Sequence, residues 1–163
     1  MVLVTGATGH LGANLVRLLL AEGTPVRALV RGEPLGLDGL DIEIVEVGPG
    51  RAVLAMVVRE DMLNGHATAH GGYVFALADS AFAYACNSDG HTTVAQHCSI
   101  TFVRPGRQGD RLVATAREVS KGGRSGIYDV TVAVEGRMIA EFRGLSRTVG
   151  GSFIDGDAAE TAK

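Results

Sequence analysis

Residues 62–87 read MLNGHATAHGGYVFALADSAFAYACN, and the rest of the chain is organised around this stretch. It opens on Asn64-Gly65-His66, turn-prone residues that favour irregular backbone. Gly71-Gly72 follows, a pair with no Cβ to keep the chain from approaching a ligand. From Tyr73 to Cys86 apolar residues fill nearly every position, which predicts a helix buried on most sides. One charge interrupts it, Asp79. A lone carboxylate in such surroundings is costly to ionise unless it is paired, solvated or functional.

A helix starting near Gly71 directs its free N–H groups and positive dipole end to His70-Gly71-Gly72. Those donors suit a carbonyl oxygen that is becoming an oxyanion. Asp79 lies eight residues further on, about 12 Å along the axis at the usual rise. That is too far for both to touch one small group on the same helix. An antiparallel second copy across a dimer brings one subunit's Asp79 near the other's Gly71.

Strand patterns flank the helix. Leu40 to Gly50 alternates Ile42, Ile44, Val45 and Val47 with acids, and Arg51 to Arg59 is a second strand. After the helix come His91 to Arg104, stopped by Pro105-Gly106, then Asp110 to Ser120, Gly126 to Val134 and Arg137 to Thr148. Val134-Glu135-Gly136-Arg137 reads as a tight hairpin. Two strands, one long helix and four strands predict an α+β fold, an antiparallel sheet around a single helix. The polar C-terminal residues, 151–163, are expected to be a disordered tail.

Several of these pieces together resemble the hotdog-fold acyl-CoA thioesterases, specifically the phenylacetyl-CoA group. They are Asn64-Gly65-His66, His70-Gly71-Gly72, Leu77-Ala78-Asp79-Ser80-Ala81-Phe82-Ala83, Phe102-Val103-Arg104-Pro105-Gly106, Lys121-Gly122-Gly123-Arg124 and Phe142-Arg143-Gly144. The likeness spans residues 36 to 151. It implies a hotdog fold, a homodimer or homotetramer with active sites shared between subunits, and hydrolysis of an acyl- or aryl-acyl-CoA. No cofactor is required, and coenzyme A enters only as part of the substrate.

The resemblance also assigns roles. Asp79 is the general base on water or the nucleophile, and a thioester carbonyl is electrophilic enough for either. Gly71 is the oxyanion donor through its N–H, although tight entry into the helix would account for the glycine as well. Asn64 orients water or the carbonyl, or serves only an Asn-Gly turn. His70 takes a helix-entry position beside the substrate, and a structural role is the alternative for it and for His66.

Coenzyme A carries a diphosphate and a 3′-phosphate, so its groove needs cations. Arg104, Arg107, Lys121 and Arg124 lie at strand ends where they could meet phosphates, although each could equally be a solvated surface charge. Lys121-Gly122-Gly123-Arg124 is the strongest of these, because glycine N–H groups such as that of Gly122 can join in.

The first residues follow another pattern. Val2-Leu3-Val4 reads as a strand, Gly6, Gly9 and Gly12 mark a glycine-rich turn, Ala13 to Glu22 has helical periodicity, and Val26 to Val30 is a second strand. This is the opening of a dinucleotide-binding unit. It resembles the extended short-chain dehydrogenase and NAD-dependent epimerase families, in which a residue placed like Arg31 often meets a 2′-phosphate. Residues 1–35 are therefore expected to be a partial strand-helix-strand unit, and 36–150 the thioesterase domain. The remaining parallel strands and the Tyr-x-x-x-Lys pair of those families are missing, so the glycine loop is expected to be a relic that binds no NAD(P). Gly32 to Gly39 is the linker, and Leu40 to Gly50 fits both patterns, as in a fusion at a shared strand.

Composition narrows the alternatives. A net charge of −3 gives no reason to expect nucleic acid or an anionic membrane as partner. No apolar run approaches the ~20 residues of a membrane span, and the N-terminus lacks a signal-peptide pattern. Two cysteines without ligand spacing read as free thiols of a cytoplasmic protein, and no metal site is expected. Two rival readings stay open: an NAD(P)-dependent epimerase or reductase, and a non-catalytic acyl-CoA-binding or fusion protein on the same fold.

Overall fold

Apolar residues at period two build the sheet of this computed structural model, which describes residues 2–5, 26–29 and 38–152. Strands β3 (Glu43–Gly48) and β4 (Arg51–Val57) precede the helix α1 (Gly71–Cys86). Strands β5 (His91–Phe102), β6 (Arg111–Gly122), β7 (Ser125–Val134) and β8 (Arg137–Ser152) follow it. Every neighbour in the sheet order β3-β4-β6-β7-β8-β5 is antiparallel. This is the expected α+β arrangement.

One face of the sheet packs on α1. Ala52, Leu54 and Met56 of β4, Leu112 and Ala114 of β6, Val130 and Val132 of β7 and Phe142 of β8 are all buried. They form one core with Val74, Leu77, Ala78, Ala81, Phe82 and Ala85 of the helix. Each large apolar side chain removed from water in this way contributes about 1.5–3 kcal/mol.

The helix is less enclosed than its composition predicts. Gly72 and Ala83 are exposed, and Ala76 and Asp79 are half-buried. Spacings of four, three and four residues place these positions on one stripe, turned away from the sheet. The composition misleads because alanine fills both faces of the helix.

The strand at one edge of the sheet, β5, is also open. Val94 is 45% exposed and Phe102 52%, and among the described residues nothing pairs with its free edge.

Turn chemistry fixes the hairpins. Glu135 and Gly136, at φ 49° and 77°, join β7 to β8, the two positive φ values that a tight two-residue connection requires. Val45 is an extra residue in β3, where the register with β4 shifts between Ile44 and Glu46. This bulge explains why two apolar residues stand side by side in an alternating strand.

One expectation changes, and several fall outside the described residues. β8 extends to Ser152, which pairs with His91, so residues 151 and 152 belong to the sheet rather than to a tail. Strands β1 (Val2–Thr5) and β2 (Val26–Leu29) form the expected parallel pair. The glycine-rich turn and helix expected between them, Arg31, most of the linker and residues 153–163 lie outside the described residues. The ambiguous segment 40–50 supplies β3, which pairs with β4 in the large sheet.

Candidate active site

The backbone between β4 and α1 closes into a small loop. Asn64 N–H donates to Thr68 O at 2.8 Å, and Asn64 Oδ1 accepts from His66 N–H at 2.9 Å and Thr68 N–H at 3.3 Å. Its Nδ2 donates to Thr68 Oγ1 at 3.0 Å. The Asn64 side chain therefore holds the loop's shape within one chain, as an Asx turn does. Ala67 tolerates φ 56° at the tip.

His70 stands at the helix entry, as expected. Its Nδ1 accepts from Gly72 N–H at 3.0 Å and caps the first turn. Gly71 N–H has no acceptor among the described residues. A Cβ on Gly71 would lie 2.9 Å from Phe102 Cζ, so β5 leaves room there for glycine alone unless the Phe102 ring moves. The result is an unclaimed backbone donor at the positive end of a sixteen-residue helix.

Asp79 is two turns further along α1. Its Oδ1 lies 3.7 Å from Cys98 Sγ on β5, which donates to it. Burial raises the Asp79 pKa above the ordinary carboxylate value, and the Cys98 contact offsets only part of that. Burial also pushes the Cys98 thiol up to about 11, with the neighbouring carboxylate acting in the same direction. Cys98 carried no signal in the sequence beyond being a cysteine in an apolar strand. Its approach to Asp79 depends on β5 lying beside the helix.

The proposed cations do not form one cluster in a single chain. Arg104 lies just past Phe102, at the Gly71 end of the helix, and donates to Met138 O at 2.8 Å. Lys121 pairs with Asp89, beyond the far end of α1, and Arg124 donates to Thr148 O at 2.9 Å. Gly122 closes β6 next to Gly123, whose φ of 57° makes the turn. Arg107 enters the chain reversal through its N–H, bonded to Asp110 Oδ2 at 2.7 Å. Phe82 packs with Tyr128 and Phe142 in the core.

An open cavity of about 700 Å³ lies beside the helix entry, with His70, Gly72, Tyr73 and Ala76 on one side and Leu40 and Leu63 among the rest of its wall. Asp79 is not part of that lining. One chain thus holds a donor with a cavity at one end of a helix and a carboxylate farther along it.

Two known families match different stretches of the chain. The thioesterase superfamily matches residues 66–141 and the NmrA-like family residues 1–48. The acyl-coenzyme A thioesterase PaaI of Escherichia coli is 48% identical over 120 residues, covering 73% of this chain and 85% of the relative. The solved structure of the PaaI protein from the E. coli phenylacetic acid degradation operon superposes with a TM-score of 0.71 at 45% identity, covering 74% of this chain and 88% of that one. A hypothetical thioesterase from Streptococcus pneumoniae solved with coenzyme A gives a TM-score of 0.66 at 26% identity over 69% of this chain and 91% of that one.

The fold and the family match together define a hotdog-fold thioester hydrolase. The chain belongs to the thioesterase superfamily and is an acyl-CoA thioesterase of the PaaI kind. Its first residues resemble a different family: 43 residues are 65% identical to sterol demethylase protein B of Methylococcus capsulatus, which this chain spans over only 13% of its length.

Proposed function

We propose that this chain hydrolyses an aryl-acyl- or acyl-CoA of the phenylacetyl-CoA type to the free acid and coenzyme A, with Asp79 as the catalytic carboxylate. The observation that carries this reading is Asp79 itself, the sole acid in α1, half-buried on the helix stripe that faces away from the sheet. As general base it takes a proton from water while the water oxygen bonds to the thioester carbon. The carbonyl oxygen becomes an oxyanion held by Gly71 N–H. Collapse re-forms the carbonyl and breaks the C–S bond, and the thiolate of coenzyme A leaves, taking up the proton from Asp79. The nucleophilic route, with Asp79 forming an anhydride, differs in one readout: when water opens that anhydride at the Asp79 carbonyl, a single turnover in labelled water places label in the Asp79 carboxylate.

Two copies complete the site on this reading. The open helix stripe and the unpaired edge of β5 support a homodimer in which antiparallel helices bring one subunit's Asp79 to the other's Gly71. That arrangement also brings Lys121, Gly122 and Arg124, at the far end of one helix, toward the partner's helix entry, where the cations could meet coenzyme A phosphates. Arg104 and His70 contact the substrate from the entry side, and Asn64 keeps the loop in place while one amide hydrogen stays available. A homotetramer is a pair of such dimers.

Residues 36–150 carry the activity on this reading, and residues 1–35 are an appendage whose loop of Gly6, Gly9 and Gly12 needs no NAD(P). Free Cys86 and Cys98 support a cytoplasmic setting. A panel of acyl-CoAs followed by thiol release tests the reading. Preference for phenylacetyl-CoA among the panel supports it, and no release from any member contradicts it.

A further inference from the structure

Part of the wall of the cavity beside the helix entry precedes the stretch that the thioesterase superfamily matches. Gly39 and Leu40 line the cavity, and both fall within the residues matched by the NmrA-like family and before residue 66, where the thioesterase match starts. One side chain ties them to the large sheet. Arg59, just past β4, donates through Nη2 to Gly39 O at 2.6 Å and through Nη1 to Asp41 Oδ2 at 3.1 Å. The same guanidinium grips Asp61 with Nε and Nη2, each at 3.0 Å. Asp41 is held at φ 51°, a backbone that few residues other than glycine adopt, between the short helical turn at Asp38–Leu40 and β3.

We infer that Gly39–Asp41, clamped by Arg59, forms the wall that sets which acyl groups this enzyme accepts. The inference rests on the hydrolase reading above and identifies its specificity element. The lining alternates in character as a ligand pocket does, with Leu40, Leu63, Tyr73 and Ala76 apolar and Arg59, Asp61 and His70 polar. His70 and Gly72 also belong to it, so the cavity adjoins the free Gly71 N–H where the thioester carbonyl would sit. An acyl or aryl chain attached to that carbonyl extends toward Leu40. Arg59 is a positioning residue. Its exposed ion pairs count for little individually, but a planar fork that joins a carbonyl and two carboxylates fixes the geometry of the junction in a way lysine cannot.

The test uses the full chain and thioether analogues of acyl-CoA, which bind without being hydrolysed, from ethyl to decyl together with a phenethyl member. Calorimetry reads affinity against chain length. Leu40→Trp is expected to weaken the decyl thioether about tenfold more than the ethyl one, as expected when a pocket loses room for a few methylenes. Leu40→Ala should shift the preference toward longer chains, and Arg59→Lys and Arg59→Met should flatten the length dependence. The same factor at every length for both Leu40 variants, or no measurable binding of any thioether, overturns the inference. Length-dependent binding that shifts as described, without thiol release from any acyl-CoA, overturns the hydrolase reading and leaves the wall in place.

Discussion

Cys98 Sγ on β5 lies 3.7 Å from Asp79 Oδ1 on α1, so the one acid of the central helix has a thiol as its neighbour. Burial raises the Asp79 pKa above 3.8. Between the unfolded and the raised folded value the native state binds the extra proton, so stability falls as pH rises through that window. Asp79→Asn should therefore melt higher than the wild type at neutral pH, and the difference should shrink below pH 3.8, where both forms are neutral. Thermal melts of the two proteins across pH check this. An Asn variant that melts lower at neutral pH contradicts the burial argument.

The same neighbour governs thiol reactivity. The Cys98 thiol sits at about 11 and the more deeply buried Cys86 thiol at about 12, both raised chiefly by burial. Neither should alkylate readily with iodoacetamide at neutral pH, because the thiolate is the reactive form. Removing the charge in Asp79→Asn should speed labelling at Cys98 more than at Cys86. Mass spectrometry of timed samples reads both sites, and an unchanged Cys98 rate argues against the contact.

Gly144 on β8 tests the packing of helix on sheet. A Cβ there would lie 2.8 Å from three ring atoms of Phe82, which is 1% exposed and cannot swing into solvent. Gly144→Ala should cost about 1–3 kcal/mol by overpacking. Phe82→Leu, destabilising on its own, should cost less in the Gly144→Ala background. Denaturant melts of the four proteins supply the cycle, and strict additivity would count against the clash.

Much of the fold was legible because its signals are local. Alternation marked the strands, Glu135-Gly136 the hairpin, and the apolar run from Tyr73 the helix. The exposed stripe through Gly72, Ala76, Asp79 and Ala83 was hidden because small apolar residues look alike on a core face and on a face left open. The end of β8 was hidden because Gly150-Gly151-Ser152 reads as coil, although its pairing with β5 keeps it in the sheet. Asp79 stood out as a charge without company. Arg59 and Cys98 did not, since what matters about each is a partner brought close by the fold: Gly39 O for one, Asp79 for the other.

The N-terminal glycine loop makes its own prediction. A nicotinamide dinucleotide needs two halves of a binding fold, and the sequence pattern of residues 1–35 fits the opening of only one. NADP should bind no tighter than about millimolar, near −4 kcal/mol. Calorimetric titration yielding a micromolar constant that Gly9→Val abolishes would make the chain bifunctional.

The central claim is tested most directly by thiol release from phenylacetyl-CoA, measured side by side for the wild type and Asp79→Asn. Both should fold and assemble alike. Wild-type release should exceed that of the variant by about 10²- to 10⁴-fold, the range a positioned general base contributes. Release at near wild-type rate by a folded Asp79→Asn protein would contradict the account.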